Sequence, residues 1–263
     1  HALKIPHMYR RYIHLYANGV EQNSKKIYED TEKPNAGVLK HWFPEDSDND
    51  FFKVDDWFEH TLDLSDKQIV TARLQKYTTT NAENNVELKL GRYRWNWLKR
   101  GYETFRANDY TNFFSLVETL NTADSATYTR RIQDTINLEG FAGVIAANQF
   151  IGNWDSYGYN RGKNMYLYRS DAGWQLIAWD LDMNFIIGGA SSAQLINPVT
   201  NISTEDPTMR KFLQHPLVCR IYWRAMEKLI AASADPALRT LTRAKHSALR
   251  ADSTNFADSY DAF

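Results

Sequence analysis

Among the side chains between positions 155 and 182, Asp155, Asn164, Asp180 and Asp182 carry oxygens that could act together as ligands. Two aromatic-rich, β-prone runs, Met165–Arg169 and Trp174–Trp179, flank the turn residues Ser170-Asp171-Ala172-Gly173, which predicts a β-hairpin. A turn centred near Asp171–Ala172 puts Asn164 opposite Trp179; a one-residue shift puts it opposite Leu181. In both registers Asn164 lies beside Asp180 at the open end of the hairpin, and Asp155 sits in the loop that feeds the first strand. Carboxylates and an amide oxygen suit a hard cation such as Mg²⁺.

An Asp, then an Asn before a strand, then a turn and a strand ending in a metal-binding Asp is also the layout of a kinase catalytic loop. The more specific resemblance is to the spore coat protein H (CotH) kinase family. Its pattern of an Asp-containing loop, an Asn with a tyrosine-rich strand, and Trp-Asp-Leu-Asp is similar to Asp155, Asn164-Met-Tyr-Leu-Tyr and Trp179-Asp180-Leu181-Asp182. Upstream, Tyr16-Ala17-Asn18-Gly19, Lys26-Ile27-Tyr28-Glu29, Ala36-Gly37-Val38-Leu39, Phe51-Phe52-Lys53 and Val86-Glu87-Leu88-Lys89 resemble further segments of that family. Neither this chain nor the family has a Gly-x-Gly-x-x-Gly phosphate loop.

The resemblance implies an α+β, atypical protein kinase-like fold with two lobes. One is a small β-rich N-terminal lobe (about 1–85), the other a mainly helical C-terminal lobe (86–263), in a single domain. It implies ATP- and divalent-metal-dependent phosphorylation of Ser or Thr in a secreted or surface protein, such as a Ser-rich one. Asn164 and Asp180 would hold Mg²⁺ or Mn²⁺, and Asp155 would accept or orient the proton of the attacking hydroxyl. Asp182 is either a second metal ligand or a support for the loop. Asn160 rivals Asn164, because its spacing of five from Asp155 equals that of a conventional kinase loop. Lys53 is the expected phosphate-directed cation with Glu29 as its orienting partner, and Lys25, Lys26 and Lys89 are alternatives. Taken without the resemblance, Asp155 reads as a turn cap, and Asp180 and Asp182 as residues ending a strand.

Those residues need elements to position them. Tyr12–Glu29 reads as a hairpin around Asn18-Gly19, Pro34–Trp42 as a short helix stopped by Pro44, and Phe51–Val54 as a strand. Asn81–Asn85 is polar and is the expected junction between lobes. Trp95–Phe105 and Tyr110–Leu120 have helical apolar spacing. Asn137 is the expected N-cap of a helix running through Asn148 into Gly152 and the Asp155 loop. Pro216 and Pro236 each open a further helix. Gly188–Thr204 is a Gly/Ser/Asn-rich loop that could cover the site.

Composition narrows the alternatives. At 263 residues and 43% apolar content the chain can bury a large core. With 31 basic against 32 acidic residues, nothing points to nucleic acid or an anionic membrane as partner. The single cysteine, Cys219, forms no intrachain disulfide, and the seven scattered histidines make no zinc motif. Asp46–Asp50 lacks the glycine and terminal glutamate of an EF-hand. No Gly-x-Ser-x-Gly elbow is present. No apolar run reaches the ~18 residues of a membrane span, and any signal peptide lies outside this chain. Two rival functions remain: a carbohydrate-active enzyme using Asp155 with Asp180 or Asp182 as an acid–base pair, and a non-catalytic adhesion or scaffold module with a kinase-like shape.

Overall fold

The structure, a computed structural model, describes residues 3–22, 27–60, 67–100, 106–158, 162–182, 184 and 206–252. The architecture is α+β. Strands β1 (Arg10–Ile13) and β4 (Tyr28–Thr31) pair antiparallel, and β2 (Tyr16–Ala17) pairs β3 (Val20–Glu21) around Asn18-Gly19. Both turn residues have positive φ, 51° and 78°, as a tight two-residue hairpin turn requires. Helix α1 (Ala36–Trp42) follows, capped by the Asn35 side chain, which accepts from the Gly37 amide at 2.8 Å.

Strand β5 (Phe51–Val54) is the hub. Two small hairpins come after it, β6 (Trp57–His60) with β7 (Lys67–Val70) and β8 (Thr78–Thr80) with β9 (Val86–Leu88). Asn81–Asn85 is the tip of the second, closed by the Asn81 side chain accepting from the Asn85 amide at 2.9 Å. A short helix, α2 (Leu90–Arg94), leads into β10 (Trp97–Arg100). The four-stranded antiparallel sheet has the order β10-β5-β11-β12, with β11 at Met165–Ser170 and β12 at Gly173–Ala178. It combines β5, from upstream of the Asn81–Asn85 turn, with three strands from downstream.

The helix expected over Trp95–Phe105 is not found where the structure describes that segment. Trp97–Arg100 instead pairs with Val54–Phe51 as a strand. Trp97 and Lys99 face inward while Arg100 faces solvent, so a period of two wins over the helical spacing read from the aromatics.

The sheet has two unlike faces. Phe52, Val54, Met165, Leu167, Trp174 and Leu176 join the main core, against α3 (Thr111–Leu120), α4 (Ser125–Thr135) and α5 (Leu138–Phe150). Phe51, Tyr166, Tyr168 and Ile177 form a smaller cluster with Val38 and Leu39 of α1. Helix α5 is buried nearly all round, from Gly140 to Ala146 and again at Asn148 and Gln149, between β12 and α7 (Pro216–Ser233). Pro207 and Pro216 sit in the first turns of α6 (Pro207–Gln214) and α7, and α8 (Pro236–Asp252) closes the described chain.

One charge pair is built into the sheet. Lys99 Nζ lies 2.7 Å from Asp50 Oδ1, with the two side chains 4% and 6% exposed, and Asn112 donates to Asp50 Oδ2 at 2.8 Å. Removing one partner leaves the other charge buried and uncompensated. Lys99→Met is therefore expected to cost about 3 kcal/mol of stability, measured by denaturant unfolding. Lys99→Met combined with Asp50→Leu should recover much of that loss.

Candidate functional site

Helix α5 and strand β12 start together. Asn137 caps α5 by accepting from the Gly140 amide at 3.0 Å, and its own amide nitrogen donates to the Trp174 carbonyl at 3.0 Å. Thirteen helical residues at 1.5 Å and six strand residues at 3.3 Å both advance about 20 Å. Packed side by side, the helix and the strand therefore deliver their C-terminal ends, and with them Asp155 and Asp180, to the same end of the molecule.

The loop after α5 is fixed by buried polar groups. Gly152 takes a left-handed conformation (φ 68°) that ends the helix. Asn153 donates from its backbone to the Asn148 carbonyl (2.9 Å) and from its side chain to Asn148 Oδ1 (2.8 Å). Ser156 Oγ donates back to the Asn153 carbonyl at 2.8 Å. Tyr157 is fully buried edge-on against Trp97, ring centres 5.3 Å apart. Gly162 passes so close to the backbone of Ala72 that a Cβ there would fall 2.1 Å from the Ala72 carbonyl oxygen. Gly162→Ala should consequently push the loop off its support, lowering stability by roughly 1–3 kcal/mol and reducing any activity of the loop. An unchanged melting temperature would contradict this packing.

The loop brings Asp155 and Asn164 together. Asn164 Nδ2 donates to the Asp155 carbonyl at 2.9 Å and to Asp155 Oδ2 at 3.1 Å, with both residues buried. The amide nitrogen is thus committed to Asp155, and the amide oxygen is the end left to ligate. Met165 pairs with Ala178, so continuing the register sets Asn164 across from Trp179, the first of the two registers expected. Asn164 and Asp180 both have positive φ, 54° and 56°. This conformation costs ordinary L-residues about 1–2 kcal/mol and is best tolerated by Asn and Asp. Both residues turn out of the hairpin ladder at its mouth.

Electrostatics place Asp180 in an acidic cluster. Its carboxyl is pushed above the ordinary aspartate value, mainly by burial and then by Asp182, with a smaller contribution from Asp155; Arg10 and Lys163 oppose the rise. Asp182 is exposed. Among the described residues, no three His, Cys, Asp or Glu side chains form a ready cage for a metal ion. Two neighbouring carboxylates and one amide still fit Mg²⁺, which takes one or two protein carboxylates and draws its other ligands from phosphates and water. The crowded negative charge is what a divalent ion relieves. Because protonated Asp180 cannot ligate, metal affinity should fall on acidification starting at a higher pH than for an ordinary aspartate. Mn²⁺ titrations between neutral pH and about pH 4 would show this.

Beside the cluster, on the α1 face of the sheet, lies a cavity of about 470 Å³ whose lining includes Lys53, Arg100, Phe51, Tyr166 and Trp179. Trp179 joins cavity to cluster, since Asp180 is the next residue. Tyr166 makes the same link: its phenol is raised above its ordinary value chiefly by burial, and it also feels Arg100, Asp55 and Asp180. Lys53 projects from β5 onto this face, but its partner is Asp55, with Nζ–Oδ2 at 2.6 Å. The expected pairing with Glu29 is not found. Glu29 belongs to the separate β1–β4 sheet, where Arg10 takes it at 3.1 Å. Lys89 is exposed at the end of the β8–β9 hairpin. Lys25, Lys26, Asn160 and the Gly188–Thr204 loop lie outside the described residues.

A sequence profile described as CotH kinase protein matches residues 1–237. The chain belongs to the CotH kinase family. The match runs from the N-terminal strands through α7 and stops as α8 begins, so the whole sheet and the Asp155–Asp182 cluster of this CotH chain lie inside it. No curated protein matches the chain. No described helix is long and apolar enough to cross a membrane. Sequence reasoning missed Arg100 and Asp55, which carry no motif, and Lys163. The only sequence signal for Lys163 was its place immediately before Asn164.

Proposed function

We propose that this CotH chain, acting as one kinase-like domain, is an ATP- and Mg²⁺- or Mn²⁺-dependent protein kinase. Its acceptors would be Ser or Thr residues of a secreted or surface protein. The observation that carries the proposal is the buried Asp155–Asn164 contact, with Asp180 beside it at the hairpin mouth and the aromatic, cationic cavity adjoining. In this assignment the cavity takes the nucleotide, with Lys53 and Arg100 directed at its phosphates. Asp180 and the Asn164 oxygen ligate the metal, and Asp182 supports Asp180 or adds a second carboxylate. Bound metal would offset phosphate charge; the protein's own task is positioning. Asp155, oriented by the Asn164 amide, receives the proton of the attacking hydroxyl.

Incubation with γ-labelled ATP, Mg²⁺ and a serine-rich protein acceptor tests this. Label on serine or threonine of the acceptor is the expected result. Nucleotide binding without any transfer would restrict the function to a kinase-like scaffold. Failure to bind nucleotide would favour the adhesion module.

A further inference from the structure

The acidic cluster contains a cation that neither the motif nor the metal assignment uses. Lys163 Nζ lies 2.8 Å from Asp155 Oδ2, with the two side chains 21% and 9% exposed. The backbone on either side is pinned: Gly162 rests on Ala72, and Asn164 is held by Asp155. The Lys163 carbonyl also accepts from the Tyr157 amide at 2.9 Å. Lys163 immediately precedes Asn164 at the hairpin mouth, and its charge is felt at Asp180. One ammonium therefore serves both the carboxylate assigned to the acceptor hydroxyl and the one assigned to the metal.

We propose that Lys163 is a further phosphate-directed cation, distinct from Lys53 and Arg100, which holds Asp155 before substrate binds and shifts onto the transferred phosphoryl oxygens when they arrive. The inference rests on the phosphotransfer function proposed above. A hydroxyl bound to Asp155 lies about 3 Å from the carboxylate and about 3–3.5 Å from the phosphorus it attacks. A cation bonded to that same carboxylate is therefore within reach of the phosphoryl oxygens by rotation of its flexible stem. Without it, the anionic phosphoryl group would meet the Asp155 charge directly. During transfer the acceptor oxygen bonds to the γ-phosphorus and its proton passes to the Asp155 carboxylate. The bond from phosphorus to the β,γ-bridging oxygen breaks, and its electron pair leaves with ADP. Lys163 exchanges no proton.

The test compares Lys163→Met with the unmodified protein. The expected result is a fall in kcat of about 10²-fold with KM for ATP within a few-fold, since the contact matters most in the transition state. Mn²⁺ binding in the absence of nucleotide should tighten several-fold, because a competing cation has left Asp180; a lysine that only braced the loop would not do this. Equal kcat in both proteins would overturn the inference. Should Lys163→Met fail to fold with Asp155 left uncompensated, the comparison is made in the Asp155→Asn background, with and without Lys163→Met, where no carboxylate is stranded, and equal Mn²⁺ affinity in that pair would also overturn it. If the unmodified protein binds Mn²⁺ yet transfers no phosphate, the proposed function fails first and the phosphate contact falls with it. Transfer by the unmodified protein that is matched by Lys163→Met rejects the Lys163 role alone.

Discussion

Asp180→Asn is expected to abolish metal-dependent nucleotide binding and to lower phosphoryl transfer by about 10³-fold, the scale of losing several kcal/mol of charge stabilisation. The substitution is well controlled by the structure. Asn tolerates the left-handed backbone that Asp180 adopts at φ 56° as well as Asp does. The folded protein raises the Asp180 carboxyl above its ordinary value through burial, Asp182 and Asp155. A carboxyl raised in this way favours the folded state at low pH, and that contribution is lost as pH rises through the folded value. At neutral pH the ionised side chain therefore opposes folding, and the apo variant should melt at the same temperature as the unmodified protein or slightly above it. A large drop in apo stability would show that Asp180 ends its strand structurally rather than serving a ligand.

Asp155→Asn should separate binding from chemistry. The Asn side chain keeps the size of Asp155 and an oxygen that can accept from Asn164 Nδ2, but it cannot take the hydroxyl proton. Affinity for the ATP–metal pair should stay within a few-fold, while transfer to a serine-rich acceptor falls by about 10²-fold or more, as for a lost general base. The variant also removes the partner of Lys163. Its melting temperature must therefore be measured alongside, so that a folding defect is not read as lost chemistry. Transfer at the normal rate would make Asp155 a turn residue and move the catalytic role to Asp182.

Much of this site was legible because it lies on a hairpin whose register follows from turn chemistry. Ser170-Asp171-Ala172-Gly173 allowed two registers, and the structure realises the one that sets Asn164 opposite Trp179. Asn137 and Pro216 were readable as helix starts for the same local reason: each satisfies or removes orphan backbone donors. The segment Trp97–Arg100 was misread because its aromatics fit both periods, and only pairing with β5, more than forty residues away, decides between them. Lys53 lies on the cavity face, and the partner it has there is Asp55 rather than the expected Glu29. Asp55, two residues further along the chain and just past the end of β5, is close by geometry, whereas Glu29 is close only if two separate sheets converge. The Gly162–Ala72 contact depends on how the chain around Ala72 passes the loop, and the Lys163–Asp155 pair on how the loop folds back on itself, tertiary facts with no local pattern behind them.

The most direct measurement is thermal unfolding of the unmodified protein with ATP alone, Mg²⁺ alone, and both together. A site built from Asn164 and Asp180 at the mouth of the Lys53–Trp179 cavity predicts a clear rise in melting temperature only when nucleotide and metal are present together. An equal rise with ATP in the absence of any divalent ion, or no rise under any of the three conditions, would contradict it.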